Sequence, residues 1–384
     1  MFSFRTTSLF EQPDLILNSG KVAVFCNQTA WYPLYGKYLF EILYSKGTLK
    51  RVFTPEEGLF REFAQDDCEF LTICTNDKGS LNISSDKLSD IDAIIIDLQD
   101  VGSRHISYNS TIYALFKILK AKGINLSIFI IDHENPAGRQ VEGTMLKKGC
   151  GSPVSVEGTP HRHGLTIGEM AHFLHNSINA RFPLHIISYM AESARNTLLP
   201  CSISPSPNIP GLFTPHFYCG QYLWEGTNVS NGVGTIRPYE LFGAPFIKSL
   251  INYNRKEGYQ SWNDSSHPIS DPSVYLRWTK FTPRFDKYKD EVCFGFQLHL
   301  LPGVNYHALA HNLKIMNFMA KNCKEFSFAE EAILLLLGDK MLNSYVKGDI
   351  GWEDIWEHIK LEEQKWIRKV RKALLYETPL FRSK

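Results

Sequence analysis

The sequence predicts a doubly wound α/β half built on a parallel sheet, followed by an α+β half. Three observations carry this expectation. Short, wholly apolar runs alternate with stretches of helical spacing through the first half. The cluster "PCSISPSPNIPG" (200–211) then interrupts all periodicity, and beyond it half-buried strand patterns and long helical patterns follow in a different texture. At 384 residues the chain has the length of two domains of roughly 150 residues each, and the boundary is placed between 205 and 206.

The elements follow in order. "KVAVFC" (21–26) is a short apolar strand, and Tyr38, Leu39, Ile42 and Leu43 recur at helical spacing until Gly47 ends them. "LKRVFT" (49–54) is the next strand. "DAIIIDL" (92–98) has the unbroken apolarity of a strand covered on both faces, and Ile112, Leu115, Phe116 and Leu119 form one helical stripe that stops at Gly123. "LSIFIID" (126–132) is a further buried strand. Thr166 and Glu169 stand in capping-box register ahead of Ile167, Met170, Ala171, Leu174 and Ile178, which predicts a helix, and "LHIISYM" (184–190) returns to the sheet. In the second half "CFGFQLHL" (293–300) alternates as a half-buried strand, and "FAEEAILLLLGDKML" and "WEDIWEHIKLEEQKWIRKVRKALLY" are helical.

Composition narrows the function classes. A hydrophobic content of 43% supports a sizeable core, while 41 basic against 40 acidic residues give no basic footprint for nucleic acid. No run reaches transmembrane length, so no membrane insertion is expected. The opening "MFSFRTTSLFEQPDLIL" lacks an apolar signal core, and the eight cysteines include no CxxC pair; a cytoplasmic protein with reduced thiols is expected.

The strands end on polar segments: "NQT" (27–29), "PEEG" (55–58), "QDVGSR" (99–104) and "HENP" (133–136). In a doubly wound sheet such exits converge on one edge, where ligands bind, so a polar pocket is expected there with Glu56 or Glu57 projecting into it. Asn27 and Gln28, in the first exit, are read as substrate contacts. "DHE" (132–134) and "HRH" (161–163) hold metal-ligand residue types without a metal-site spacing, so no metal is assigned. GxGxxG, Walker and GxSxG patterns are missing, and no cofactor is called for.

Taken together, "CNQT", "FTPEEGL", "DLQDVGSR", "HRHGLTIGEMA", "PSPNIP", "LWEGTNVSNGVGT" and "ELFGAPF", continuing through "FTPRFDKYKDEVCFGFQLHL" to the terminal "LLY", resemble the NamZ exo-β-N-acetylmuramidases over nearly the whole chain. The resemblance implies a Rossmann-like N-terminal domain, a smaller C-terminal domain and an active site in the cleft between them. It further implies a saccharide or muropeptide substrate, with N-acetylmuramic acid released from the non-reducing end of peptidoglycan fragments. The family's Pro-Glu-His-Gly glutamate falls on Glu56, its Arg-His-Gly motif on Arg162 and His163, and its Glu-Gly-Thr-Asn motif on Glu225 and Asn228.

Glycoside hydrolysis needs one carboxyl group held protonated and a second group that activates water or attacks the anomeric carbon. Glu56 is the candidate acid, and Asp100, Glu142 and Glu225 are the alternatives for the second group. Arg104 and Arg162 are read either as partners of the lactyl carboxylate or as structural ion-pair members. His163 either orients substrate or is a satisfied core histidine, and Asn208 either bonds a sugar hydroxyl or caps a turn. The chain also departs from the family pattern. Glu57 replaces the motif histidine, His133 and Val233 stand where arginines are usual, and His105, Ile106 and Ser107 occupy positions that tend to be aromatic. These departures keep a second reading open, an amino-sugar or muropeptide binding protein of the same fold with weakened catalysis, and imply a loss of sugar-stacking surface.

Overall fold

The computed structural model of the chain describes residues 2–5, 20–32, 35–55, 68–76, 79–151, 155–188, 203–250 and 260–377. Among these residues, seven strands form the N-terminal sheet: β1 (Phe2–Arg5), β2 (Val22–Cys26), β3 (Leu49–Thr54), β4 (Glu69–Thr72), β5 (Ala93–Asp97), β6 (Ser127–Ile131) and β7 (Leu184–Ile187). Every pairing is parallel, in the order β1-β7-β6-β5-β2-β3-β4. Counted from β2, the order is the 3-2-1-4-5-6 of a Rossmann-like sheet, whose direction of winding reverses between β2 and β5.

The unbroken apolarity of these strands follows from helices on both faces. Successive side chains of a strand point to opposite faces, so each strand feeds two cores. Ala23, Phe25, Ile94, Ile96, Ile128 and Ile130 pack with Ile112, Leu115, Phe116, Met170 and Leu174 on one side. Val22, Val24, Cys26, Ile95 and Phe129 pack with Leu39, Phe40 and Leu43 on the other. Each such buried Val, Leu, Ile, Phe or Met side chain contributes about 1.5–3 kcal/mol relative to exposure. The helices responsible are α1 (Leu39–Ser45), α2 (Tyr108–Lys122) and α3 (Ile167–Ser177). α2 stops where Gly123 takes a φ of 63°, a left-handed turn that glycine adopts without strain. α3 starts on the expected capping box, Thr166 Oγ1 accepting from Glu169 N and Glu169 from Thr166 N.

The smaller C-terminal domain has an antiparallel sheet of β8 (Leu241–Ala244), β9 (Val274–Phe281) and β10 (Cys293–Leu300), ordered β8-β10-β9. Helices α4 (Thr214–Gln221), α5 (Ala308–Asn322), α6 (Glu330–Leu337), α7 (Lys340–Lys347) and α8 (Trp352–Val370) complete it. Phe242, Phe296, Trp224, Leu313 and Met316 share its core. α8 then returns to the first domain: Trp366 and Val370 belong to the core under α2 and α3, and the Trp366 indole donates to the His163 carbonyl at 2.9 Å. Among the described residues no helix is long and apolar enough to cross a membrane.

Candidate active site

The carboxyl ends of β2 and β5 flank the point where the winding reverses. Asn27 follows β2 and is fully buried. Its Oδ1 accepts from Thr29 N at 3.1 Å, while its Nδ2 lies 3.4 Å from Tyr108 Oη and 3.5 Å from the Pro205 carbonyl. Tyr108 Oη donates to that carbonyl at 3.0 Å, and Gln28 Nε2 donates to the Ser204 carbonyl at 2.8 Å. Asn27 and Gln28 thus fasten the segment from Ile203 to Ile209 onto the sheet edge, so the proline-rich cluster is an ordered wall where it is described. A cleft of about 220 Å³ opens beside it.

The cleft has two sides. One side consists of His105 to Tyr108, at the start of α2, together with Ser206, Asn208 and Ile209 of the segment fastened to the sheet edge. The C-terminal domain supplies Tyr218, Tyr222, Glu225 and Tyr239. The Tyr222 ring stacks on His105 with centroids 4.9 Å apart, and Tyr218 meets Tyr239 edge-on at 4.7 Å. Tyr239 holds a φ of 59°, a left-handed conformation uncommon for a residue with a side chain. Aromatic side chains therefore line the cleft from α4, the turn after it and Tyr239. Tyr218 and Tyr222, four apart in "YCGQY", are the signal for this in the sequence.

Glu225 lines the cleft with a side chain 29% exposed. Its Oε1 accepts from Asn231 Nδ2 at 2.7 Å, and its Oε2 is 3.6 Å from Lys287 Nζ. Asn208 lines the opposite wall, and its backbone N–H donates to Ser206 Oγ at 3.2 Å. Glu56 and Glu57 lie outside the described residues. The strand that leads to them, β3, runs beside β2 and ends at the same edge, with Thr54 and Pro55 buried.

The remaining candidates do not line the cleft. Asp100 is buried beneath the start of α2. Its Oδ2 accepts from Gly102 N at 3.1 Å and lies 3.0 Å from His163 Nε2, while Oδ1 has no hydrogen-bond partner. His163 Nδ1 accepts from Leu165 N at 3.1 Å, which puts the ring proton on Nε2, aimed at Asp100. Both ring nitrogens of His163 thus have partners inside the protein. Arg162 is 2% exposed and pairs with Glu142, itself 1% exposed, at 2.5 Å; Glu142 also accepts from Leu309 N at 3.1 Å. These two opposite charges face each other, both buried, at the domain junction.

Arg104 is buried with partners from both domains. Its guanidinium donates to the Thr144, Thr159, Leu336 and Leu337 carbonyls and lies 2.9 Å from His161 Nε2. It caps the carbonyl end of α6 from the other domain, and burial lowers its pKa to about 9. Asn228 is not among the lining residues either: Nδ2 donates to the Glu325 carbonyl at 2.7 Å and Oδ1 accepts from Ser327 N at 2.9 Å.

The histidine-rich segments have structural partners. Asp132 accepts from Gly168 N at 2.8 Å and Thr166 Oγ1 at 2.8 Å at the start of α3, and His133 Nε2 lies 2.7 Å from the buried Asp97. Among the described residues no group of three His, Cys, Asp or Glu side chains is arranged to hold a metal.

Similar proteins place this geometry in a family. The family models for exo-β-N-acetylmuramidase NamZ match the N-terminal part over residues 22–212 and the C-terminal part over residues 216–376. The peptidoglycan β-N-acetylmuramidase NamZ of Bacillus subtilis strain 168 is 28% identical over 354 residues, which covers 88% of this chain and 82% of that protein. A DUF1343 family protein of Bacteroides fragilis NCTC 9343 shares the fold with a TM-score of 0.77 at 22% identity, covering 96% of this chain and 97% of its own. A second DUF1343 protein of that organism does so with a TM-score of 0.72 at 23% identity, covering 96% and 98%. With both of its parts matched in order along one chain, this protein belongs to the NamZ exo-β-N-acetylmuramidase family.

Proposed function

We propose that this chain is an exo-acting glycosidase that releases N-acetylmuramic acid from the non-reducing end of peptidoglycan fragments, as in turnover or recycling of wall material. The observation that carries the reading is the cleft itself: a partly exposed carboxylate, Glu225, beside a wall of tyrosines, at the sheet edge where β3 ends just before Glu56.

In this reading Glu56 is the acid that protonates the leaving glycosidic oxygen. Glu225 is the second carboxylate, which activates water or attacks the anomeric carbon. Of the three groups the sequence leaves open for that role, Asp100 and Glu142 are buried and bonded to neighbours, and Glu225 reaches the cleft. Tyrosine faces suit the apolar face of a pyranose. Ser107, Ser206 and Asn208 on the facing wall supply polar atoms for its hydroxyls and side groups.

The test is hydrolysis of a chromogenic β-N-acetylmuramide by the purified protein. Turnover is expected, with kcat reduced about 10²- to 10⁴-fold by Glu56→Gln. Undiminished turnover in that variant would remove the acid assignment. Hydrolysis of other chromogenic glycosides with none of the muramide would redirect the substrate class.

A further inference from the structure

The "FTPRFDKYKDEV" segment has no part in the chemistry described so far, yet its backbone is among the most constrained in the molecule. Asp286, Tyr288 and Asp290 take φ values of 66°, 57° and 62°, three left-handed residues with side chains within five positions. Such conformations persist only where the surroundings over-determine them, and they gather at functional sites. Here the surroundings are explicit. Asp290 N donates to the Pro283 carbonyl at 2.7 Å, and Arg284 N donates to the Gly234 carbonyl at 2.8 Å. A Cβ on Gly234 would lie 2.4 Å from the Phe285 oxygen, so that glycine is required for the close approach. Tyr288 Oη donates to the Asn228 carbonyl at 2.6 Å.

The strained turn delivers one side chain. Lys287 Nζ donates to the Trp224 carbonyl at 2.7 Å and the Glu225 carbonyl at 3.2 Å, with Val229 O at 3.5 Å and Glu225 Oε2 at 3.6 Å. A compact ammonium with three donors matches this cluster of oxygens better than a planar guanidinium. The Glu225 carboxylate is thus held at both oxygens, by the Asn231 amide on one and the Lys287 ammonium on the other. Lys287 stands behind Glu225 and does not itself line the cleft. Burial lowers the Lys287 pKa while the charges of Glu225 and Asp286 oppose that shift.

We propose that Lys287 is a positioning residue, which keeps the Glu225 carboxylate aimed into the cleft, and that the left-handed turn from 283 to 291 serves to present it. This rests on the reading of Glu225 as the working second carboxylate.

The test is kinetic. Lys287→Met in the full chain, with circular dichroism confirming the fold, is expected to lower kcat on a β-N-acetylmuramide about 100-fold with KM within about threefold, and Lys287→Arg to restore at least about tenfold of that loss. In the Glu225→Gln background Lys287→Met is expected to cost less than about threefold further, because it acts through a carboxylate no longer there. An equal loss in both backgrounds, or a change confined to KM, overturns the proposal. If the parent hydrolyses no muramide, the function reading fails by itself, and crystal structures of the parent and Lys287→Met decide this one. A Glu225 carboxylate released from Asn231 in the variant supports it, and an unmoved carboxylate overturns it.

Discussion

The two sides of the cleft treat charge in opposite ways. Behind the N-terminal side, among the described residues, the candidate charges are buried with partners: Arg162 with Glu142 at 2.5 Å, Asp100 with His163 at 3.0 Å, Arg104 with four carbonyls. On the C-terminal side Glu225 and Lys287 face each other at 3.6 Å with side chains 29% and 22% exposed. A charge stripped of water is tolerated only if the protein supplies nearly all of its partners, and a group so occupied has little left for a ligand. A half-hydrated carboxylate retains capacity for chemistry. The difference separates charges enclosed by the protein from charges left partly in water among residues of the same chemical type.

The largest expected effect breaks the N-terminal side. Arg162→Met leaves Glu142 as an uncompensated buried charge, and unfolding in urea is expected to show a loss of about 3–5 kcal/mol. Adding Glu142→Gln should recover part of it. A loss below about 1 kcal/mol would mean that the pair is hydrated and that Arg162 remains available to substrate.

The counterpart on the other side is Glu225→Gln. Stability is expected to change by less than about 1 kcal/mol, as for other partly exposed ion pairs, while kcat on a β-N-acetylmuramide falls about 10²- to 10³-fold. The comparison fails if this substitution unfolds the protein, or if Arg162→Met proves stable and catalytically dead.

A smaller effect comes from pH. His105 is held neutral by burial and by the Arg104 charge, with a pKa lowered to about 3, and burial lowers His311 to about 4. An unfolded histidine titrates near 6.5, so below that pH the unfolded chain takes up protons that the folded chain refuses. The stability these groups contribute is therefore complete above about 6.5 and is lost as pH falls toward 4 and 3. At pH 5 the loss is on the order of 2 kcal/mol for each. Urea midpoints between pH 7 and 5 check this, and His105→Gln should flatten the dependence.

Much of the scaffold was legible in the sequence because its causes are local. An unbroken apolar run is what a strand between two helical layers requires, and Gly47, Gly123 and the Thr166–Glu169 box mark ends that the backbone itself needs. α5 escapes the same reading because His311, Asn312 and Asn317 interrupt its apolar stripe, and the fold buries all three. The site was legible only as a collection of polar motifs. Whether a polar residue is spent or available depends on partners far along the chain: His163 meets Asp100 across 63 positions, and Arg104 meets Leu336 across 232. A motif records that an arginine is needed and not whether its guanidinium faces inward. The tyrosine wall is similar, since Tyr218 and Tyr222 join Tyr239 only once the chain has folded back.

That wall gives the smallest expected effect and the sharpest test of the C-terminal side as a recognition surface. Tyr222 stacks on His105 at 4.9 Å and lies 6.1 Å from Tyr239, so its ring joins the two halves of the cleft. Tyr222→Leu keeps an apolar side chain there and removes the aromatic face. Stacking of this kind is worth about 0.5–1.5 kcal/mol beyond area burial, so affinity for N-acetylmuramic acid by calorimetry is expected to fall about 3- to 10-fold, with kcat within about threefold. If Tyr222 only packs the domain junction, the substitution moves the melting temperature and leaves affinity unchanged. A drop in affinity at constant melting temperature makes the ring part of the sugar site, and it ties the exposure of this side to binding as well as to chemistry.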